Sequence, residues 1–135
     1  MRVLCVGLNR RSALLLLAVA ACPALPAWAQ VQKFADVVAV KVAERQAGVF
    51  DFDVTVSSPY DTPERYADGF RVMSEDGRTV FGVRTLWHDH AGEQPFTRDL
   101  YGVKVPGEVG KLVVQARDKQ FGWGGGTQTV TLPGR

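Results

Sequence analysis

Val49-Phe50-Asp51-Phe52-Asp53-Val54-Thr55-Val56 alternates apolar and polar residues without a break. Successive side chains of a strand point to opposite faces, so Phe50, Phe52, Val54 and Val56 share one face and Asp51, Asp53 and Thr55 the other. A strand with one apolar and one polar face belongs in an antiparallel sheet whose outer side meets water. The same period recurs on either side of it. Asp36 to Ala43 sets Val38, Val40 and Val42 against Val37, Ala39, Lys41 and Ala43. Gly69 to Met73 runs into Ser74-Glu75-Asp76-Gly77, a hairpin signal in which Gly77 supplies a positive φ, and Thr79 to His88 returns.

Further along, Thr97 to Val105 carries Tyr101, Val103 and Val105 at period two and stops at Pro106-Gly107. Lys111 to Arg117 places Leu112, Val114 and Ala116 inward, Phe121 to Gly126 reads as a turn, and Thr127 to Leu132 is the last strand. Ser57 to Pro63 is a loop by composition, and Glu64 to Ala67 suits one helical turn. The pattern predicts an all-β fold: an immunoglobulin-like antiparallel β-sandwich of about seven strands.

The N-terminus reads differently. Arg2, Arg10 and Arg11 precede the apolar run Ala13 to Ala21, and Ala27-Trp28-Ala29 follows Pro23 and Pro26. A basic start, a short apolar stretch and an A-x-A site make a secretory signal peptide over residues 1–29, leaving a single β-sandwich domain over 30–135. The run is shorter than the roughly 20 residues a membrane-spanning helix needs. Val19-Ala20-Ala21-Cys22 also fits a lipid-attachment motif, but Pro23 directly after Cys22 opposes processing there. The expectation is a periplasmic or secreted protein.

With that segment set aside, the charge changes sign. The precursor carries 16 basic and 14 acidic residues, but Arg2, Arg10 and Arg11 leave with the leader while every acid stays. The remaining Lys and Arg are scattered singly, so no basic patch argues for nucleic acid. Cys5 and Cys22 both fall in the leader, which leaves the domain to fold on its core alone.

Chemistry concentrates in Trp87-His88-Asp89-His90-Ala91-Gly92-Glu93-Gln94-Pro95-Phe96, which holds both histidines. Residues i and i+2 of a strand project together, so His88 and His90, with Glu93 across a short turn, suit Cu²⁺ or Zn²⁺ with water completing the site. The set is short of a third nitrogen or a thiolate. Strand parity groups Phe81, Val83 and Trp87 on the core face and Arg84, His88 and His90 on the solvent face, unless a bulge near Gly82 reverses it. Phe96 then tucks into the core, and Glu93 reaches Arg98. Loops at the ends of sandwiches carry function, which nominates Glu93, Gln94, Arg98 and Trp123 for a protein partner or small ligand. Trp123 stands alone among glycines, with no evident burial partner. Nucleophilic catalysis has no support, because beyond the leader there is no cysteine, no Gly-x-Ser-x-Gly, and serine only at 57, 58 and 74.

The order Asp76-Gly77, Gly82-x-Arg84-x-Leu86-x-His88-x-His90, Glu93-Gln94-Pro95-Phe96-Thr97-Arg98, Val105-Pro106 and Gly122-x-Gly124 resembles a group of small exported bacterial proteins of uncharacterised function. The resemblance spans about Phe50 to Leu132 and implies export and the sandwich fold, with no activity to transfer. The run Trp123 to Leu132 locally resembles the last strand of an immunoglobulin variable domain, where glycines build a β-bulge.

Overall fold

The computed structural model describes residues 20, 21 and 32–135. The expected signal peptide's basic start and cleavage site, and Cys22, lie outside the described residues. Among the described residues seven strands form, β1 (Asp36–Gln46), β2 (Val49–Ser57), β3 (Ala67–Ser74), β4 (Val80–Thr85), β5 (Phe96–Lys104), β6 (Lys111–Asp118) and β7 (Gly122–Thr131). They pair antiparallel in two sheets, ordered β1-β2-β5 and β4-β3-β6-β7. The all-β expectation holds, and among the described residues no helix is long and apolar enough to cross a membrane.

The alternation in β2 is realised as read. Phe50, Phe52, Val54 and Val56 are fully buried and meet Phe70, Val72, Leu112, Val114 and Ala116 from the facing sheet, also fully buried. Each such phenylalanine or valine contributes about 1.5–3 kcal/mol on burial. Ser74 to Gly77 makes the expected hairpin, closed by Gly77 N–H donating to the Ser74 carbonyl at 2.9 Å, with Gly77 at φ 72°.

Two departures from the sequence reading share one cause, an extra residue that reverses strand parity. In β1 the register steps between Val37 and Ala39. Val37 is therefore buried, Val38 is 45% exposed, and Val40 and Val42 return inward. In the β3–β4 pair, Val72 faces Gly82 but Met73 faces Val80, so Phe81 is the extra residue. Gly82 and Leu86 consequently face the core, Val83 turns outward, and Trp87 is 82% exposed rather than a core anchor. In β6–β7 the irregularity is larger: Gly125, Gly126 and Thr127 stand opposite Gln115 alone, two extra residues that leave parity unchanged, with Gly125 at φ 76°.

The glycine run is thus strand, not turn, and its smallness has a specific use. The lead-in to β1 crosses directly over it. A Cβ on Gly124 would enter the Phe34 ring and one on Gly125 would overlap the Ala35 carbonyl. Gly126 N–H donates to Asp36 Oδ1 at 2.6 Å, which fastens the two sheets at this corner. The expected helical turn at Glu64 to Ala67 does not form. Thr62 and Arg65 exchange backbone hydrogen bonds at 2.8 and 3.2 Å, closing a tight loop, and Ala67 already belongs to β3.

Gly125→Ala combines a positive φ with a backbone clash, so urea denaturation should show a loss of about 2–4 kcal/mol. Gly107→Ala, whose added methyl meets nothing within 4 Å, should change stability by less than about 0.5 kcal/mol.

Candidate functional site

Strand register gathers three connections at one end of the sandwich. Ala67 pairs with Asp118, Gly69 with both Thr85 and Arg117, and Arg117 with Trp123. The β2–β3 loop (58–66), the β4–β5 loop (86–95) and the β6–β7 turn (119–121) therefore emerge together, beside the lead-in.

Two side chains hold the β4–β5 loop to its neighbour. Asp61, only 5% exposed, accepts from Ala67 N–H at 3.1 Å and from His90 N–H at 3.0 Å. Gln94 accepts from Ser58 N–H at 2.7 Å through Oε1, and its Nε2 donates to Ser58 Oγ at 3.3 Å and the His90 carbonyl at 3.1 Å. Buried backbone donors need such partners, and a loop has no ladder to provide them. The spacing of Asp61 and Gln94 supplies what a strand would have supplied.

Inside this frame His90 is buried, against the expectation that both histidines face solvent. Its ring stacks on Phe96 with centroids 3.9 Å apart and planes at 15°, and Phe96 is 1% exposed as expected. Strand parity ends with β4 at Thr85, and His88 stays exposed; it is the bonds of Asp61 and Gln94 to the His90 backbone that turn this residue inward. Among the described residues His90 Nδ1 has no hydrogen-bond partner. Burial, then the charges of Arg98 and His88, pull the His90 pKa below its ordinary value, outweighing Asp61 and Glu93. The exposed His88 lies 4.8 Å away between ring centroids, and its Nδ1 is 2.8 Å from the Asp89 carbonyl. A carbonyl only accepts, so in the neutral ring that nitrogen carries the proton and Nε2 the lone pair.

The predicted Glu93–Arg98 contact is present at 3.0 Å, and the Arg98 hydrogen bond holds the Glu93 carboxyl below the usual carboxylate range. Among the described residues no group of three or more His, Cys, Asp or Glu side chains is placed to hold a metal ion. His88 and His90 are brought together; Glu93 is occupied by Arg98 and does not complete the set.

The remaining nominated residues divide. Gln94 spends its amide on loop closure, as described. Trp123 lies not on a loop but in β7, between the guanidinium groups of Arg71, 4.3 Å from the ring centroid, and Arg117, 5.0 Å away. Arg71 is held by Gln115 and Arg117 by Asp68, at 2.6 and 2.7 Å, so the tryptophan has burial partners after all. Sequence reasoning missed Trp87 as a surface group. Its carbonyl accepts from Tyr66 Oη at 3.2 Å, and Lys119 Nζ covers the Tyr66 ring at 4.8 Å. Next to them, Arg65 pairs with the buried Asp118 at 3.2 Å and ties the Lys33 carbonyl at 2.7 Å, under the half-exposed Phe121. Burial works against the Asp118 charge, but Tyr60, the Phe121 and Gln120 N–H groups and Arg65 outweigh it and lower its pKa.

No protein-family model, no curated protein and no solved structure matches this chain.

A base whose folded pKa lies below its unfolded value, near 6.5 for histidine, favours folding while neutral. As pH falls below about 6.5 the unfolded chain binds the proton first, so stability declines until the folded pKa is passed. Urea midpoints measured from pH 7.5 down to 5 should therefore fall more steeply for the native chain than for His90→Phe, which keeps a ring on Phe96 without the titration.

Proposed function

We propose that the domain is a non-catalytic, exported binding module that takes a protein partner or small ligand at this end of the sandwich, with Trp87 as its anchor. The observation that carries the reading is the 82% exposure of Trp87 on a loop whose backbone is pinned at the His90 N–H by Asp61, at the His90 carbonyl by Gln94 and at the Trp87 carbonyl by Tyr66. A large ring kept in water costs solvation free energy, and rigid exposed aromatics are the groups that dominate interface energetics when covered. Holding the loop in advance lowers the ordering cost of binding. Tyr66 and Phe121 extend the aromatic surface, and Glu93 and Arg98 form its polar rim.

The strand order supports an immunoglobulin-like sandwich, in which end loops are the usual place for recognition. Export is supported by the leader-like run from Arg2 to Ala29.

A copper or zinc site at His88 and His90 is the second reading, favoured by the free Nε2 of His88 and the 4.8 Å separation of the two rings. It needs further ligands from water or a partner.

The discriminating experiment compares the native chain with Trp87→Ala as immobilised bait against extract of the source cell envelope, with and without added zinc. The expected outcome is a specific partner or ligand retained by the native chain and lost with Trp87→Ala, whose melting temperature stays within a few degrees. Retention unchanged by Trp87→Ala but abolished by His88→Ala, and restored only with metal, contradicts the anchor reading and favours the second.

A further inference from the structure

The outer face of the first sheet is separate from the loop end and carries a groove of its own. Along β2 the outward row Asp51, Asp53 and Thr55 is half-buried, while Lys41 on β1 and Thr97 and Tyr101 on β5 stand exposed on either side. The central strand is therefore the floor and its neighbours are the walls. Two depressions, of about 410 and 210 Å³, lie along it and share Lys41 and Asp53. Ala39 and Ala43 flank Lys41 on β1 and keep the wall low on both sides of the amine. Longer β-forming side chains at those positions would fill the space.

One wall is shaped by a bulge. The β2–β5 register steps from Phe50↔Val103 to Phe52↔Leu100, leaving Tyr101 and Gly102 as the irregular pair, with Gly102 at φ 72°. Gly102 N–H donates to Asp51 Oδ1 at 2.9 Å, which locks the bulge to the groove floor. Bulges re-aim side chains. Here Tyr101, 51% exposed, leans over the groove, and its Oη donates to Asp53 Oδ1 at 3.1 Å.

We propose that this groove binds an uncharged, hydroxyl-rich ligand, an oligosaccharide, between Lys41, Asp53, Thr97 and Tyr101. The polar groups are of both kinds. Asp53 and Asp51 accept, Lys41 donates, and the Thr55 and Thr97 hydroxyls, 2.8 Å apart, do either. A sugar hydroxyl also donates and accepts, so it meets the carboxylate lone pairs and the Lys41 amine that the bonds within the groove leave open, whereas a hydrocarbon ligand would cover them without a partner. Charge is balanced: Arg45 neutralises Asp51 at 2.9 Å, Lys41 stands opposite Asp53 in the register, and Asp99, on the other side of Asp53, is countered by Arg84 at 3.6 Å. Nothing in the groove therefore calls for a charged ligand. Tyr101 supplies the ring against which the apolar C–H face of a sugar packs. The site is independent of the Trp87 end.

Calorimetric titration of the full chain with cellohexaose, maltohexaose and chitohexaose tests the assignment. At least one should bind saturably, with affinity reduced at least about tenfold in Asp53→Asn and in Tyr101→Ala, as loss of a hydrogen bond to a charged group or of a stacking ring implies. Ala43→Tyr fills the groove from an exposed position without removing any bond and should also abolish binding. No saturable binding by any of the three sugars, or binding that survives Ala43→Tyr and Tyr101→Ala in folded protein, overturns it.

Discussion

The Asp61 carboxylate is the point on which the loop end depends. A chain that leaves a sheet loses the ladder that satisfied its N–H groups, and a buried donor without a partner costs about 1–3 kcal/mol. Asp61 meets that demand twice, at Ala67 where β3 begins and at His90 in the middle of the β4–β5 connection. Gln94 repeats the arrangement from the other side by bonding Ser58. Two loops distant in sequence are in this way joined into one body, and the His90 ring can then be buried on Phe96. The exposure of Trp87 follows from the same fastening, because the chain on both sides of it is committed to the interior through Leu86 and His90.

Much of the fold can be read from period-two alternation because burial acts on alternate side chains wherever a strand is regular. β2, β6 and the hairpin at Gly77 illustrate this: each is paired and oriented as its pattern requires. What defeats the reading is the single inserted residue. A step at Val37/Ala39 exchanges Val37 for Val38, and the extra Phe81 moves Trp87 from core to surface. In β1 and β4 nothing in the local composition separates a bulged strand from a straight one, since the choice is made by what the partner strand and facing sheet can accommodate. The possibility of a reversal at Gly82 could be named from sequence, but its occurrence is a tertiary fact.

The site was partly readable for the same reason. The Glu93–Arg98 pair and the burial of Phe96 follow from short-range spacing, and both are present. Asp61 lies 29 residues from the backbone it caps at His90, so no local signal marks it. Trp123 was misjudged because its partners, Arg71 and Arg117, sit on two other strands and meet it only once the sheet is assembled. The glycines after it were read both as a turn and, by local resemblance, as bulge residues; the irregular register is present, the turn is not, and the glycines also thin β7 so that Phe34 and Ala35 can cross it.

The central claim is that the β4–β5 loop is fixed in advance and displays Trp87 as part of the folded body. Nitrogen-15 relaxation of the Trp87, Asp89 and Glu93 amides measures this directly. Order parameters near 0.85, equal to those of β2, are the predicted result, and values below about 0.6 would show that the loop is flexible and contradict the account.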